Sequence, residues 1–446
     1  MLLKLILLSY LIPNIFSYII LPLNEVKQNF DSISNPQEII QKLSNTELYI
    51  TLELGSERTK IKAILSNQRN ELIISGKNIK SHKYDESLSK TYFCVNNYTK
   101  EFYNGFYKEV VLSKEDFYMK NEKNEIQYIE KINFLLGTKT SEEKEYEGIM
   151  GLQYYYMNSL NDYNLVNSLK NKKIIESYYW FLNFDNLENN EGKMYLGILP
   201  HLINNKFEEN NFRETPTDKN GYWGLDLSQI YYGNSEKLTK SYQAYIRFDF
   251  KLFFGPNELM DLLDKKFFNK YIKENLCFKE IYGIEKNIFY YCKNRKEVDI
   301  TKFNEISFKN VQLEINFVFD YKDLFYYKDD LIYFLIIFRE VDINSFRLGQ
   351  IFLKKYNLVF NQDKKTIGYY SGVDNIREKK ENIDNNKNYR NNFSITNILL
   401  ILILFCLIFI GILFYKKRIQ RKMRANELED QFQYEAKKDS KLIRDI

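Results

Sequence analysis

The sequence predicts a mainly β, two-lobed protein followed by one C-terminal transmembrane helix. From residue 48 to about 370, short stretches alternate apolar and polar side chains and are cut by turn signals. That is the period-2 signature of half-buried strands, and few helical patterns interrupt it. This body is over 300 residues long, more than one average domain, which favours two lobes. Beyond it, the 21 residues Ile395–Tyr415 carry no charge.

Residues 1–17 (MLLKLILLSYLIPNIFS) combine one early lysine, Lys4, with an apolar run and Ser17 as a small residue for cleavage. They are expected to form a secretory signal peptide. Residues 18–47 read as a short strand and a helical stretch ahead of the main body. In LYITLELGSERTKIKAIL two strands are joined by a turn at Gly55-Ser56. The chain then opens into five polar residues, Ser66-Asn67-Gln68-Arg69-Asn70, and returns to Leu72-Ile73-Ile74. Asp162 is expected to cap a helix carrying Leu165, Val166 and Leu169. Pro256-Asn257 opens ELMDLLDKKFF, which places Leu259, Leu262, Leu263 and Phe267 on one helix face. The expected division is an N-terminal β lobe at 48–235 and a C-terminal β lobe at 236–371.

Residues 372–392 are polar and nearly free of large apolar groups, as in a flexible stalk. The transmembrane helix is placed at 393–415, because the 21 residues from Ile395 at ~1.5 Å rise reach about 30 Å, the hydrocarbon thickness. Lys416-Lys417-Arg418, Arg421-Lys422 and Arg424 follow at once. The positive-inside rule therefore puts 416–446 in the cytosol as a tail. The predicted topology is single-pass type I, with the lobes lumenal or extracellular, in the secretory or endomembrane system or at the cell surface.

Charge follows this division. The tail holds ten basic and six acidic residues and Lys4 adds one more cation, which together account for the net +5. The lobes are then near neutral, with no basic footprint for nucleic acid. Cys277 and Cys292 sit in one region of an oxidising compartment. A bridge closing their 15-residue loop would stabilise by roughly 3 kcal/mol in the chain-entropy model. Cys406 lies in the membrane span, and Cys94 is left over, to pair with another molecule or remain a thiol. The two histidines, His82 and His201, are far apart and lack neighbouring ligands at metal spacing, so neither a metal site nor a Ser-His-Asp arrangement is predicted. No GxGxxG or P-loop is present, and no cofactor is expected.

Tyr49–Gly55, Tyr146–Leu152, Gly192–Gly197, Gly221–Ile230, Phe254–Pro256 and Leu348–Tyr356, in that order, resemble motifs of the pepsin-like aspartic peptidases. Tyr49-Ile50-Thr51-Leu52-Glu53-Leu54-Gly55 is similar to that family's opening strand, "Y-x-x-I-x-I-G", and Tyr146-Glu147-Gly148-Ile149-Met150-Gly151-Leu152 to its "F-D-G-I-L-G-L". Gly192-Lys193-Met194-Tyr195-Leu196-Gly197 resembles "G-x-L-x-F-G". The run from Gly221 to Ile230 is similar to "x-Y-W-x-I-x-L-x-x-I", and Phe254-Gly255-Pro256 to "V-G-P". Leu348-Gly349-Gln350-Ile351-Phe352-Leu353-Lys354-Lys355-Tyr356 resembles "L-G-D-x-F-L-R-x-Y". Ile20-Leu21-Pro22-Leu23 is similar to the family's pro-segment start, so 18–47 is read as a short pro-segment-like region. The resemblance spans 48–370 and implies a bilobal pepsin-like fold with a peptide-binding cleft between two β lobes. Cys292 falls in the family's C-lobe disulfide region.

The family's chemistry needs one Asp from each lobe, presented in Asp-Thr/Ser-Gly. The two carboxylates share a proton because like charges about 3 Å apart cannot both ionise. Aligning the strands around the polar opening places Ser66-Asn67-Gln68-Arg69 on that motif in the first lobe. Counting back from Gly255-Pro256 places Arg247-Phe248-Asp249-Phe250 on it in the second. The catalytic positions are thus expected to hold Ser66 and Arg247, with Asp249 the fallback carboxylate. Asn67 and Phe248 are expected at the cleft, and Tyr98 at the flap. Asn97-Tyr98-Thr99 is also an N-glycosylation sequon, making Asn97 a candidate glycan site. The sequence favours a non-catalytic, membrane-anchored pseudoprotease that binds a peptide or protein in its cleft. The alternative is an active membrane-anchored aspartic endopeptidase of the secretory pathway.

Overall fold

The computed structural model describes residues 17–372 apart from 27, 29, 31–32, 102–106, 141–145, 155–160, 187–190, 218–220, 235 and 342. Residues 1–16 of the expected signal peptide, the stalk from residue 373, the 393–415 segment and the tail lie outside the described residues. Among the described residues, no helix is long and apolar enough to cross a membrane.

The fold is mainly β, consistent with a bilobal pepsin-like architecture. Its largest sheet has 13 strands, and its middle runs from Tyr179–Asn186 through Glu191–Leu196, Ile19–Glu25 and Leu48–Leu54 to Thr59–Ser66. A nine-stranded sheet contains Gly224–Leu227, Tyr242–Ile246 and Ser345–Leu348 at one end, and a four-stranded sheet is built around Gln229–Tyr232. The lobes exchange strands: Gly224–Leu227 and Gln229–Tyr232 pair within the sheets of the second lobe, while Val359–Asn361 and Thr366–Tyr370 join the large sheet.

Alternation sets the local structure. In Leu48–Leu54 every second side chain is buried, and the strand pairs antiparallel with Thr59–Ser66. Gly55, at φ +80°, starts the connecting turn, and its N–H donates to the Asp116 carbonyl. Only glycine occupies that conformation without strain.

The 18–47 region contains the two elements expected of it. Ile19–Glu25 is a strand inside the large sheet, paired with Glu191–Leu196 on one side and Leu48–Leu54 on the other. Between Glu25 and Leu48 the backbone makes an excursion closed at its base by the Val26 N–H on the Glu47 carbonyl. The excursion holds a helix, Pro36–Ser44, begun by Pro36 and by the Asn35 side chain accepting from the Gln37 N–H. Its buried face, Ile39, Ile40 and Leu43, packs on Leu252, Phe254, Tyr282, Phe289 and Ile337 of the second lobe.

The cap of the next helix is a correction. Asn164, not Asp162, caps Leu165–Asn171, its side chain accepting from the Asn167 N–H. The capping residue must directly precede the first helical residue for its oxygen to reach that amide, whereas Asp162 sits in the preceding turn, its carbonyl taken by Ser168 Oγ. Asn257–Leu263 forms after Pro256, burying Leu259 and Leu263, and continues through a wider turn at Asp264–Phe268 that buries Phe267. Cys277 and Cys292 face each other on paired antiparallel strands and form a disulfide.

Candidate functional site: two loops at the interlobe junction

The polar opening at 66–71 is a loop folded over a glycine. Thr59–Ser66 runs parallel to Gly148–Gly151, and Leu72–Ser75 runs antiparallel to the same strand on its other side. The loop between them is pinned by three amides: Gly151 N–H on the Glu71 carbonyl, Leu152 on Ser66 (2.8 Å) and Gln153 on Arg69 (2.6 Å). A Cβ on Gly151 would sit 2.5 Å from the Asn70 backbone, so nothing larger fits. Asn164 closes the other side, its Nδ2 donating to the Asn70 carbonyl at 2.7 Å. The strand therefore opens because the residues of the loop give their carbonyls to a neighbouring segment.

Within this loop Ser66 is buried, and its hydroxyl accepts the Gln68 N–H at 3.2 Å. Arg69 is buried as well, and burial lowers its pKa to about 10 despite the opposing charge of Glu71.

The second lobe repeats the design. Arg247 N–H donates to the Leu348 carbonyl, and Gln350 and Ile351 donate to Phe250 and Lys251. Gly349 plays the part of Gly151, since a Cβ there would meet the Leu252 carbonyl at 2.2 Å. Gln350, fully buried, donates from Nε2 to the carbonyls of Phe248 (3.0 Å) and Thr46 (2.7 Å). The Arg247 guanidinium holds Asp249 with two hydrogen bonds, Nε to one carboxylate oxygen and a terminal nitrogen to the other, both 2.8 Å. The two side chains are 19% and 20% exposed. Burial disfavours the charge on Arg247, but Asp249 outweighs it and leaves the pKa above the usual guanidinium value. No hydrogen bond joins Asp249 to a second carboxyl group among the described residues.

The loops are joined across the lobes. Asn67 Nδ2 donates to the Ile246 carbonyl at 2.8 Å, just ahead of Arg247, while its Oδ1 is buried without a partner. Phe248, expected at the cleft, is instead fully buried. It lies 5.6 Å from the rings of Trp180 and Phe360, which stack on each other at 4.2 Å. Trp223 packs on Phe360 at 5.1 Å and donates its indole N–H to the Leu152 carbonyl of the first loop's partner segment. An aromatic group with no polar handle is most stable in such a stack, so Phe248 turns inward.

Tyr98 and Asn97 fall in the edge strand Phe93–Glu101, whose pairing shifts register between Asn96 and Lys100. Their side chains lie outside the described residues. Gln350, Trp180, Trp223 and Phe360 were not singled out from sequence. Two of them left a signal: Gln350 stands where the resemblance has the Asp of "L-G-D", and Trp223 at the W of "x-Y-W".

Two β lobes meeting at paired glycine-backed loops define a pepsin-like protein. The chain belongs to the eukaryotic aspartyl protease family, whose model matches residues 67–371. A curated protein, the structural maintenance of chromosomes protein 3 homolog of Plasmodium falciparum (isolate 3D7), is 28% identical over 174 residues, 38% of this chain. This chain spans 13% of that protein's length.

Proposed function

We propose that this family member is non-catalytic, with Ser66 and Arg247 at the two positions where the family carries its aspartates, and that it binds an extended peptide or protein segment in the interlobe cleft. The observation that carries the reading is the pairing of Asp249. It is the one carboxylate in its loop, and both of its oxygens are engaged by Arg247. Water activation needs a carboxylate that shares a proton with a second one. In the first lobe's loop the residue at the corresponding position is a serine, whose hydroxyl already accepts a backbone N–H and, being neutral, is far too weak a base to replace a carboxylate. A cleft that recognises extended peptides through backbone hydrogen bonds and side-chain pockets needs no such pair. The uncharged run at 393–415, followed by basic residues, supports anchoring as a single-pass type I membrane protein with the lobes lumenal or extracellular.

The test is a peptide library incubated at acid pH with the full-length protein and resolved by mass spectrometry. Retention of peptides with no new fragments is expected. New fragments that vanish with a transition-state-mimicking inhibitor would establish the active endopeptidase instead.

A further inference from the structure

Beside the second loop lies a face with more cations than anions. Tyr242–Ile246 and Ser345–Leu348 run parallel, with Tyr245 opposite Arg347. Alternation buries Tyr242, Ala244 and Ile246 and turns Gln243 and Tyr245 outward; it likewise buries Phe346 and Leu348 and turns Ser345 and Arg347 outward. Arg247 continues the outward series two residues beyond Tyr245. Phe254 pairs with Arg347 across the next strand, and the guanidiniums of Arg347 and Arg339 each lie 5.3 Å from its ring.

The charges do not balance. Arg247 uses both oxygens of Asp249, and Arg339 pairs through one terminal nitrogen with Glu285, which is 60% exposed. The Arg339 Nε is buried with no hydrogen-bond partner. Among the described residues, Arg347 has no carboxylate within ion-pair distance; its contact is the Phe254 ring. Burial, then Arg247 and Arg339, lower the Arg347 pKa, against the smaller opposing pull of Glu285 and Asp249. Among the described residues three guanidiniums thus face two carboxylates, leaving a single surplus positive charge and a full fork of unused donors. Tyr222, 40% exposed, packs against Tyr245 at 6.1 Å and borders the same face.

We propose that this face is a carboxylate subsite of the cleft, in which Arg347, flanked by Arg247 and Arg339, takes one carboxylate of a bound peptide. A monoanion matches the single surplus charge, whereas a phosphate dianion would overfill it. The planar fork suits a two-oxygen ligand, and the Phe254 ring fixes its plane from below. Either the free carboxy terminus of the peptide or one of its Asp or Glu residues presents this group. The inference rests on the peptide-binding reading above.

It is tested with four peptides of one sequence: free C-terminus, C-terminal amide, amide with an internal Glu, and amide with Gln in its place. Affinities are measured for the full-length protein and for Arg347→Met, whose stem still covers Phe254, with Arg347→Gln as a second variant and thermal midpoints as the folding control. The wild type is expected to prefer a carboxylate-bearing peptide over its neutral twin on the order of tenfold. The free-terminus and Glu arms show which source it takes. Both variants are expected to lose that preference while binding neutral peptides as the wild type does, and Arg347→Lys to keep part of it. Equal affinity for charged and neutral twins, or a preference that survives in Arg347→Met, overturns the carboxylate subsite and leaves peptide binding standing. Binding of no peptide at all overturns the peptide-binding reading, and the subsite with it.

Discussion

Asn67 and Arg247 show how single side chains hold the junction. Asn67 supplies an amide to a carbonyl of the other lobe, so Asn67→Ala leaves that buried carbonyl unsatisfied. A cost of about 1–3 kcal/mol is expected, read as a lower urea midpoint at unchanged slope. Arg247→Ala strands a half-buried Asp249 and is expected to cost about 1–3 kcal/mol, between the exposed and buried limits for ion pairs. Removing both partners in Arg247→Met with Asp249→Leu is expected to recover most of that loss. If the double variant is no better than the single one, the pair is not what holds the loop. At this scale the flanking apolar runs marked out the two loops that carry Ser66, Asn67 and Arg247, while the family positions given to these residues belong to the proposal. The sequence put Phe248 at the cleft, whereas its burial is decided by Trp180 and Phe360, both distant in sequence. A helix start also reads only to within a residue or two, which is why Asp162 stood in for Asn164.

The 26–47 excursion is the element that ties the N-terminal strand to the second lobe. The helix it holds, and the strand ahead of it, were legible as a short strand and a helical stretch in 18–47. Its docking site was not, because Leu252, Tyr282 and Phe289 carry no mark of what covers them. Ile40, fully buried on the inner face of this helix, is expected to cost about 2–5 kcal/mol when changed to Ala. The tie at its base is electrostatic. Glu25 is buried and bridges Lys251 (2.7 Å) and Lys354. Burial would raise its pKa, but Lys251 and then Lys354 outweigh it, and the carboxyl titrates below the ordinary glutamate range. The unfolded protein therefore binds this proton more readily than the folded one. The stabilisation is complete above the ordinary glutamate pKa and is lost as pH falls through that range to the depressed value. Urea midpoints taken at descending pH are expected to fall less steeply for Glu25→Gln than for the wild type. Parallel acid limbs would contradict the assignment.

For the molecule as a whole, two β lobes were legible from alternation and length, and the family from short patches in order. The exchange of strands between lobes was not. Period-2 patterns show which faces are buried but not which distant strands pair, and Val359–Asn361 meets Tyr179–Phe181 across most of the second lobe's sequence. The Cys277–Cys292 bridge was legible from spacing, and the structure forms it. Replacing both cysteines with Ala is expected to lower stability by about 3 kcal/mol in the chain-entropy account, checked by equilibrium unfolding under oxidising conditions. The membrane anchor is a sequence expectation, tested by whether the full-length protein partitions with bilayers through high-salt and alkaline washes.

Whether the lobes form a working peptidase is decided most directly by titrating the full-length protein, at acid pH, with a transition-state-mimicking inhibitor while following cleavage of quenched-fluorescence peptides. With Asp249 held by Arg247 and a serine in place of the first lobe's carboxylate, no inhibitor-sensitive turnover is predicted. Turnover that falls to zero at one inhibitor per protein, and that is abolished by Asp249→Asn, would contradict it.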